Sequence, residues 1–331
     1  MTSPDVSVII VGWNVRDFTI RCIDTLIQRS RDVSLQVILV DNASTDGTAD
    51  AVRARFPDVE VMEPGQNLGF ARANNLALDR VRGRHILYLN PDTEVGEGTV
   101  SATVAALDAD PELGAVGCRL LYPDGSTQYE GARNAYRLRH LLYELLYLHM
   151  LFPRSPVFGH HLMGDWDHAS DRDVEAICGA FILTPTALAR DLGGIPDDVF
   201  MYFDDLAFCL RVRQRGYRIR YLATVDTIHY TNQSSRQRRD ARWDLLEPEY
   251  KVRLIRERSG RLAGLVARAL FAGRSLIRLG LTGASYLLPG GRRLRARYPQ
   301  AFHLERHWLQ LRWAVTPWSV ARLVPRAPVS P

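Results

Sequence analysis

The chain has 331 residues, of which 46% are hydrophobic and 24% charged, and a formal net charge of +5. That balance excludes a disordered chain and allows one large domain with appendages, or two domains. Four widely spaced cysteines (Cys22, Cys118, Cys178, Cys209) include no CxxC pair. Zinc-finger spacing and a disulfide framework are therefore excluded, and a reducing compartment is expected. MTSPDVSVII lacks the basic flank, apolar core and cleavage site of a secretory leader, so none is expected.

Val6–Val11 is a short apolar run suited to a buried strand. The stretch from Asp17 to Arg29 predicts a helix, with Phe18, Cys22, Ile23, Leu26 and Ile27 on one side. A second strand, Leu35–Val40, ends in Asp41. The polar turn Asn42, Ser44, Asp46, Gly47 then opens a helix through Phe56. Val59–Met62 predicts a third strand, and Gly69–Val81 a helix with Ala73, Leu76, Ala77 and Val81 inward. His85–Leu89 predicts a fourth strand, which runs into Asn90-Pro91-Asp92. This alternation predicts a parallel α/β unit over residues 1–95. Ligands of such sheets bind beyond the carboxyl ends of the strands, so Asp41 and Asp92 should face one crevice. No Gly-x-Gly-x-x-Gly follows the first strand, which argues against a nicotinamide or flavin enzyme.

Farther along, Leu138, Leu141, Leu142, Leu145, Leu146 and Leu151 recur at helical spacing, as a core-packed helix or as one facing a membrane or acceptor. Residues 153–174 are irregular and rich in His, Asp and Trp, as functional loops are. The apolar run Val199–Phe203 precedes Asp204-Asp205 and a helix bearing Leu206, Cys209, Leu210 and Val212. A strand-like run, Thr224–Ile228, ends at His229. In the tail, Leu262, Leu265, Val266, Leu270, Leu276 and Ile277 share one helical side, and Arg261, Arg268, Arg274 and Arg278 the other. Gly273, Gly280 and Gly283 weigh against one unbroken helix there.

Charge is split along the chain. Residues 236–331 carry 20 basic and 6 acidic side chains, against 22 and 31 in residues 1–235. The tail has no apolar run of the ~20 residues that a spanning helix needs. Interleaved leucine and arginine fit an interfacial helix on an anionic membrane better than nucleic acid.

A carboxylate at a strand end suits Mg²⁺ or Mn²⁺, because hard cations take oxygen ligands and keep positions open for phosphate. Asp92 is the first candidate ligand, and Asn90 can orient the site or bond a ribose; the same residues also make an ordinary turn. His229 is either a second metal contact or a structural histidine. Asp204 and Asp205 either cap a helix or supply a general base. Asp41 either accepts the ring N–H of uracil or thymine or closes an Asx turn. Arg72 either reaches a phosphate or is simply exposed.

The ordered motifs VSVIIVGWN, VDNASTDGT, NLGFARANN, LNPDTEV, MGDWDH, CGAFIL and FDDLAFCLRVRQRGY span residues 5–235. In this order they resemble inverting family 2 glycosyltransferases, in particular the rhamnosyltransferase-like group of bacterial cell-surface polysaccharide enzymes. The resemblance implies an α/β GT-A domain over residues 1–235, Rossmann-like with a mostly parallel sheet. Its donor half would be residues 1–95 and its acceptor half 96–235, followed by a basic helical extension over 236–331. It assigns Asp41 to the base, Asp92 to the metal (Mg²⁺ or Mn²⁺), and Asp205 to proton abstraction. His229 matches a metal-contacting position of some relatives. Asn14, Asn67, Arg72 and Asn90 fall on the donor side, and Trp166, Gly179, Ala180 and Asp204 on the acceptor side.

The implied donor is a dTDP- or UDP-sugar, with dTDP-rhamnose favoured. The implied acceptor is a lipid-linked glycan at the cytoplasmic face of the membrane. Two positions depart from the family pattern. The paired-acid slot reads Asn90-Pro91-Asp92, and Ala207 stands where a second acid follows Asp205. Ala207 leaves a non-catalytic sugar-nucleotide or lipid-glycan binding protein as an alternative. A nucleotidyltransferase would need a Gly-rich basic loop that GWNVRDF lacks.

Overall fold

A computed structural model describes residues 3–197, 204–231, 245–287, 289–298 and 303–316. The apolar run Val199–Phe203 and the boundary expected at residues 235–236 lie outside the described residues. By contact the chain forms two compact units: residues 1–135 with 154–237, and residues 136–153 with 238–331.

In the first unit the strands are β1 (Val6–Gly12), β2 (Leu35–Asp41), β3 (Glu60–Met62), β4 (His85–Leu89), β5 (Thr93–Val95) and β6 (Leu113–Leu121). They continue with β7 (Ala132–Arg133), β8 (Arg172–Val174), β9 (Ala176–Ile177), β10 (Phe181–Pro185) and β11 (Arg218–His229). Helices α1 (Arg16–Gln28), α2 (Thr48–Arg55), α3 (Phe70–Leu76) and α4 (Thr99–Ala109) alternate with the early strands. Helices α5 (Leu138–Leu145) and α6 (Leu148–Leu151) belong to the second unit; α7 (Thr186–Asp191) and α8 (Asp204–Gln214) complete the first.

The main sheet runs β3-β2-β1-β4-β10-β6-β11-β5, with β8 added on β11; β7 and β9 form a separate pair. Strands β3, β2, β1 and β4 are mutually parallel, as the alternation predicts. Every residue of β1 is buried, which is why its sequence is apolar but for Ser7, whose hydroxyl donates to Gln36 at 2.6 Å. On the helix side Cys22, Ile23 and Leu26 of α1 close the core over Val8, Ile10, Leu39 and Leu87. The helix expected over Gly69–Val81 ends at Leu76 and tightens into a short 3-10 turn, Leu78–Arg80.

Only Asn90, Pro91 and Asp92 separate β4 from β5, yet β5 pairs at the far end of the strand path. The sheet must therefore curl back on itself at this corner.

The second unit adds α9 (Leu246–Leu287), α10 (Gly291–Arg297) and α11 (Leu304–Val315). The helix is unbroken through Gly273, Gly280 and Gly283, against expectation, and breaks instead at Gly260, where φ is 85°. A left-handed φ costs glycine nothing, so the break falls there. Trp313 of α11 is fully buried and meets Phe271 of α9 edge-on at 5.7 Å. Arg268 donates to the carbonyls of Trp313, Ala314 and Thr316 at the end of α11. Buried Lys251 donates to Glu144 at 2.7 Å, and Tyr136 donates to the same carboxylate at 2.6 Å, which binds α5 to α9.

Helix α9 inverts the usual pattern of a surface helix beyond its break. Its buried positions are small or hydroxylated: Gly264, Ala267, Ser275, Thr282 and Ser285, with Phe271 the one large side chain. Leu262, Leu265, Leu276, Ile277, Leu281 and Leu287 face outward, each more than half exposed. Arg268 and Arg274, on the side opposite the leucines as expected, are partly buried. On α5 and α6, Leu141 is buried while Leu146, Met150 and Leu151 are exposed, so only part of that apolar face is core.

Candidate active site at the carboxyl edge of the sheet

Register places the site. Gly12 pairs with Asp41, so the carboxylate stands at the common end of β1 and β2. Asp41 is buried, and its Oδ1 accepts the Ser44 N–H at 3.1 Å. Among the described residues its Oδ2 has no hydrogen-bond partner. Asn14, at a φ of 53°, accepts the Thr45 N–H at 2.7 Å and steadies the facing loop. Asn67 accepts from Asn42 and from the Gly69 N–H, both at 3.0 Å. Asn14 and Asn67 thus build the walls around Asp41. Both the expected Asx turn and a usable carboxylate oxygen are present.

Strand β4 ends one residue before Asn90, whose N–H donates to the Ala180 carbonyl at 3.0 Å. Pairing of β5 with β11 sets Thr93 opposite His229. The buried Asp92 carboxylate consequently lies 3.4 Å from His229 Nε2, and the Asn90 amide nitrogen 3.4 Å from the same ring atom. Buried Gln128 holds His229 from the other side, with Oε1 3.1 Å from Nδ1.

A carboxylate oxygen facing a ring nitrogen in a buried corner is a donor set that suits a divalent cation. Among the described residues no cluster of three or more His, Cys, Asp or Glu could hold a metal. The pair therefore fits Mg²⁺ or Mn²⁺ in the manner in which such ions take one or two protein ligands and complete their shell with water and substrate phosphates.

The dipeptide Gly179-Ala180 joins this corner to the other half of the site. While the Ala180 carbonyl accepts from Asn90, the Gly179 N–H donates to Asp205 Oδ2 at 3.0 Å. A Cβ on Gly179 would lie 3.3 Å from the Asp205 Cβ, a tight contact that would press on Asp205. Arg133 Nη2 also donates to Asp205 Oδ2, and both side chains are largely buried. Burial works against the Arg133 charge, but Asp205 beside it more than offsets that and holds the guanidinium above its ordinary range. Asp204 is buried at the start of α8. Ala207 is buried as well.

Two expected residues lie elsewhere. Arg72 pairs with Asp197 at 3.6 Å, both more than half exposed. Trp166 stacks on His168 at 4.2 Å and meets Tyr221 edge-on, with Arg172 over its ring. No contact joins Trp166 to Asp205 among the described residues. Conversely, Gln128 and Arg133 escaped the sequence reading. They touch His229 and Asp205 across 101 and 72 positions, and no local pattern announces either contact.

A curled, mixed central sheet of this kind, parallel in its first half and followed by C-terminal helices, is the GT-A glycosyltransferase fold. Residues 7–164 match the Glycosyl transferase family 2 model, and the chain carries a domain of that family. It is 26% identical over 220 residues to an N-acetylglucosaminyl-diphospho-decaprenol L-rhamnosyltransferase of Mycobacterium tuberculosis, covering 61% of this chain and 68% of that protein. It is 25% identical over 291 residues to the low-salt glycan biosynthesis hexosyltransferase Agl10 of Haloferax volcanii, covering 86% and 82%. A Pyrobaculum calidifontis mannosyltransferase solved with GDP-Man and Mn²⁺ shares the fold, with a TM-score of 0.55 and 21% identity over 96% of this chain and 89% of that one.

Proposed function

We propose that the protein is a metal-dependent, inverting hexosyltransferase that moves a sugar from a nucleoside-diphosphate donor to a hydroxyl of a lipid-linked glycan. The observation that carries this reading is the Gly179-Ala180 bridge, which couples Asp205 to the Asn90–Asp92 corner through two backbone hydrogen bonds. Acceptor activation and leaving-group stabilisation must act on one anomeric carbon, and a shared rigid link sets their spacing.

In this mechanism Asp205 takes the proton of the acceptor hydroxyl while that oxygen attacks the anomeric carbon. The bond from that carbon to the diphosphate breaks, the diphosphate leaves with the electron pair, and a single displacement inverts the centre. An ionised carboxylate offers about four lone-pair sites. Arg133, Gly179 and Leu206 use three of them, so capacity for the hydroxyl remains. Cys178, next to Gly179, is pushed up to about 11 by burial and stays a thiol, which argues against a covalent sugar intermediate on it. Asp92 and His229 would hold Mg²⁺ or Mn²⁺, which when bound neutralises charge developing on the diphosphate.

Asp41 Oδ2 suits the ring N–H of uracil or thymine, a group that purine and cytosine rings do not offer in the same place. The name of the Mycobacterium tuberculosis relative favours rhamnose, hence dTDP-rhamnose, and a polyprenyl-diphosphate acceptor. The outward leucines of α9 and the +14 balance of residues 236–331 support docking on an anionic membrane surface at its cytoplasmic face. No described helix is long and apolar enough to cross a membrane.

The metal assignment is tested by Asp92→Ala and by EDTA. Both should abolish donor turnover, and full turnover in EDTA would contradict the assignment.

A further inference from the structure

We infer that Gln128 is a positioning residue that sets the tautomer of His229 and aims an unprotonated ring nitrogen at Asp92. The inference deepens the metal reading above and rests on it for its purpose, though not for its geometry. Gln128 follows β6 and is buried, with its own N–H donating to the Leu120 carbonyl at 2.8 Å. Its side-chain Nε2 donates to two backbone carbonyls, Leu121 at 3.0 Å and His229 at 2.6 Å. Two carbonyls fix the amide's orientation, because turning it over would press the amide oxygen against two other acceptors. Oε1 is therefore the atom 3.1 Å from His229 Nδ1.

An amide oxygen can only accept, so Nδ1 must carry the proton. In the neutral ring Nε2 then keeps its lone pair, and Nε2 is the atom 3.4 Å from both Asp92 Oδ1 and the Asn90 amide nitrogen. The partner of one ring nitrogen thus decides what the other can bind, as with the outer partners of metal-ligating histidines. Without that partner an imidazole in water favours the opposite form, with the proton on Nε2. Gln128 also grips the backbone of the residue whose ring it orients. Ring and strand end are consequently held as one piece.

The test is ¹⁵N NMR of the histidine rings in metal-free protein at mildly alkaline pH, with His229 assigned by its loss in His229→Gln. Wild type should show the Nδ1–H form, and Gln128→Met should shift His229 toward the Nε2–H form. Mn²⁺ affinity, read by EPR of the free ion, should fall about 10–100-fold in Gln128→Met. An Nε2–H ring in wild type overturns the inference, whether or not any variant folds. An unchanged Nδ1–H signal in folded Gln128→Met overturns it as well. The expected tautomers without Mn²⁺ binding by wild type uphold the positioning role and defeat the metal reading, so the two failures are distinguishable.

Discussion

Asp205 carries more hydrogen bonds than a solvent-exposed general base would, and each has a consequence. Arg133 and the Gly179 N–H both sit on Oδ2. Loss of Arg133 alone would leave a buried carboxylate without its counter-charge, a change that costs about 3–5 kcal/mol where pairs are fully buried. Asp205→Asn keeps the shape and removes the base, so turnover should fall about 10²–10⁴-fold while nucleotide still raises the melting temperature. Gly179→Ala adds a Cβ 3.3 Å from the Asp205 Cβ and should lower kcat by up to about 10²-fold with little change in melting temperature. Wild-type kcat in Gly179→Ala would show that the close approach has no part in catalysis. At this scale the sequence was informative about which polar side chains stand at strand ends, as Asp41, Asp92 and His229 do. It was silent on Gln128 and Arg133, whose partners are remote in sequence and whose types have many ordinary uses.

Among the elements, β1, β2 and β4 were legible because strands buried on both faces are mostly apolar along their length. The β6–β11 pairing was not, because its register shifts twice and its two strands lie far apart in the chain. The periodicity of α9 separated a leucine side from an arginine side, and reading it as an interfacial helix put the leucines outward, but it did not show what fills the inward positions. Apolar residues ordinarily turn inward, and here small and hydroxyl side chains take that place, with Ser275, Thr282 and Ser285 each bonding a carbonyl of their own helix.

That inversion supports a lipid-facing role and separates two kinds of variant. Leu276→Glu with Ile277→Glu should weaken sedimentation with anionic vesicles severalfold and leave thermal stability unchanged, because both side chains are exposed. Phe271→Ala, buried against Trp313, should instead destabilise by about 3–5 kcal/mol. Undiminished vesicle binding by the double glutamate variant would refute membrane docking through this face.

For the whole molecule the charge split matters most. Residues 1–235 carry a net −9 and residues 236–331 a net +14. Under the proposed docking, each arginine near an anionic surface would contribute about 1 kcal/mol, and salt should weaken sedimentation with anionic vesicles. The charge split was legible in the composition, whereas the grouping of residues 136–153 with the C-terminal helices was not. That grouping depends on Lys251 meeting Glu144 across 107 positions.

Joint action of Asp205 and the Asp92 corner on one nucleotide sugar, as proposed, is tested by nucleoside-diphosphate release from a panel of donors (dTDP-rhamnose, UDP-glucose, UDP-galactose, UDP-N-acetylglucosamine and GDP-mannose) with a lipid-linked glycan acceptor and Mg²⁺ or Mn²⁺. The account predicts release from a pyrimidine donor, foremost dTDP-rhamnose, that requires the metal and is lost in Asp205→Asn. No release from any donor, together with no thermal shift by any nucleotide, would contradict it.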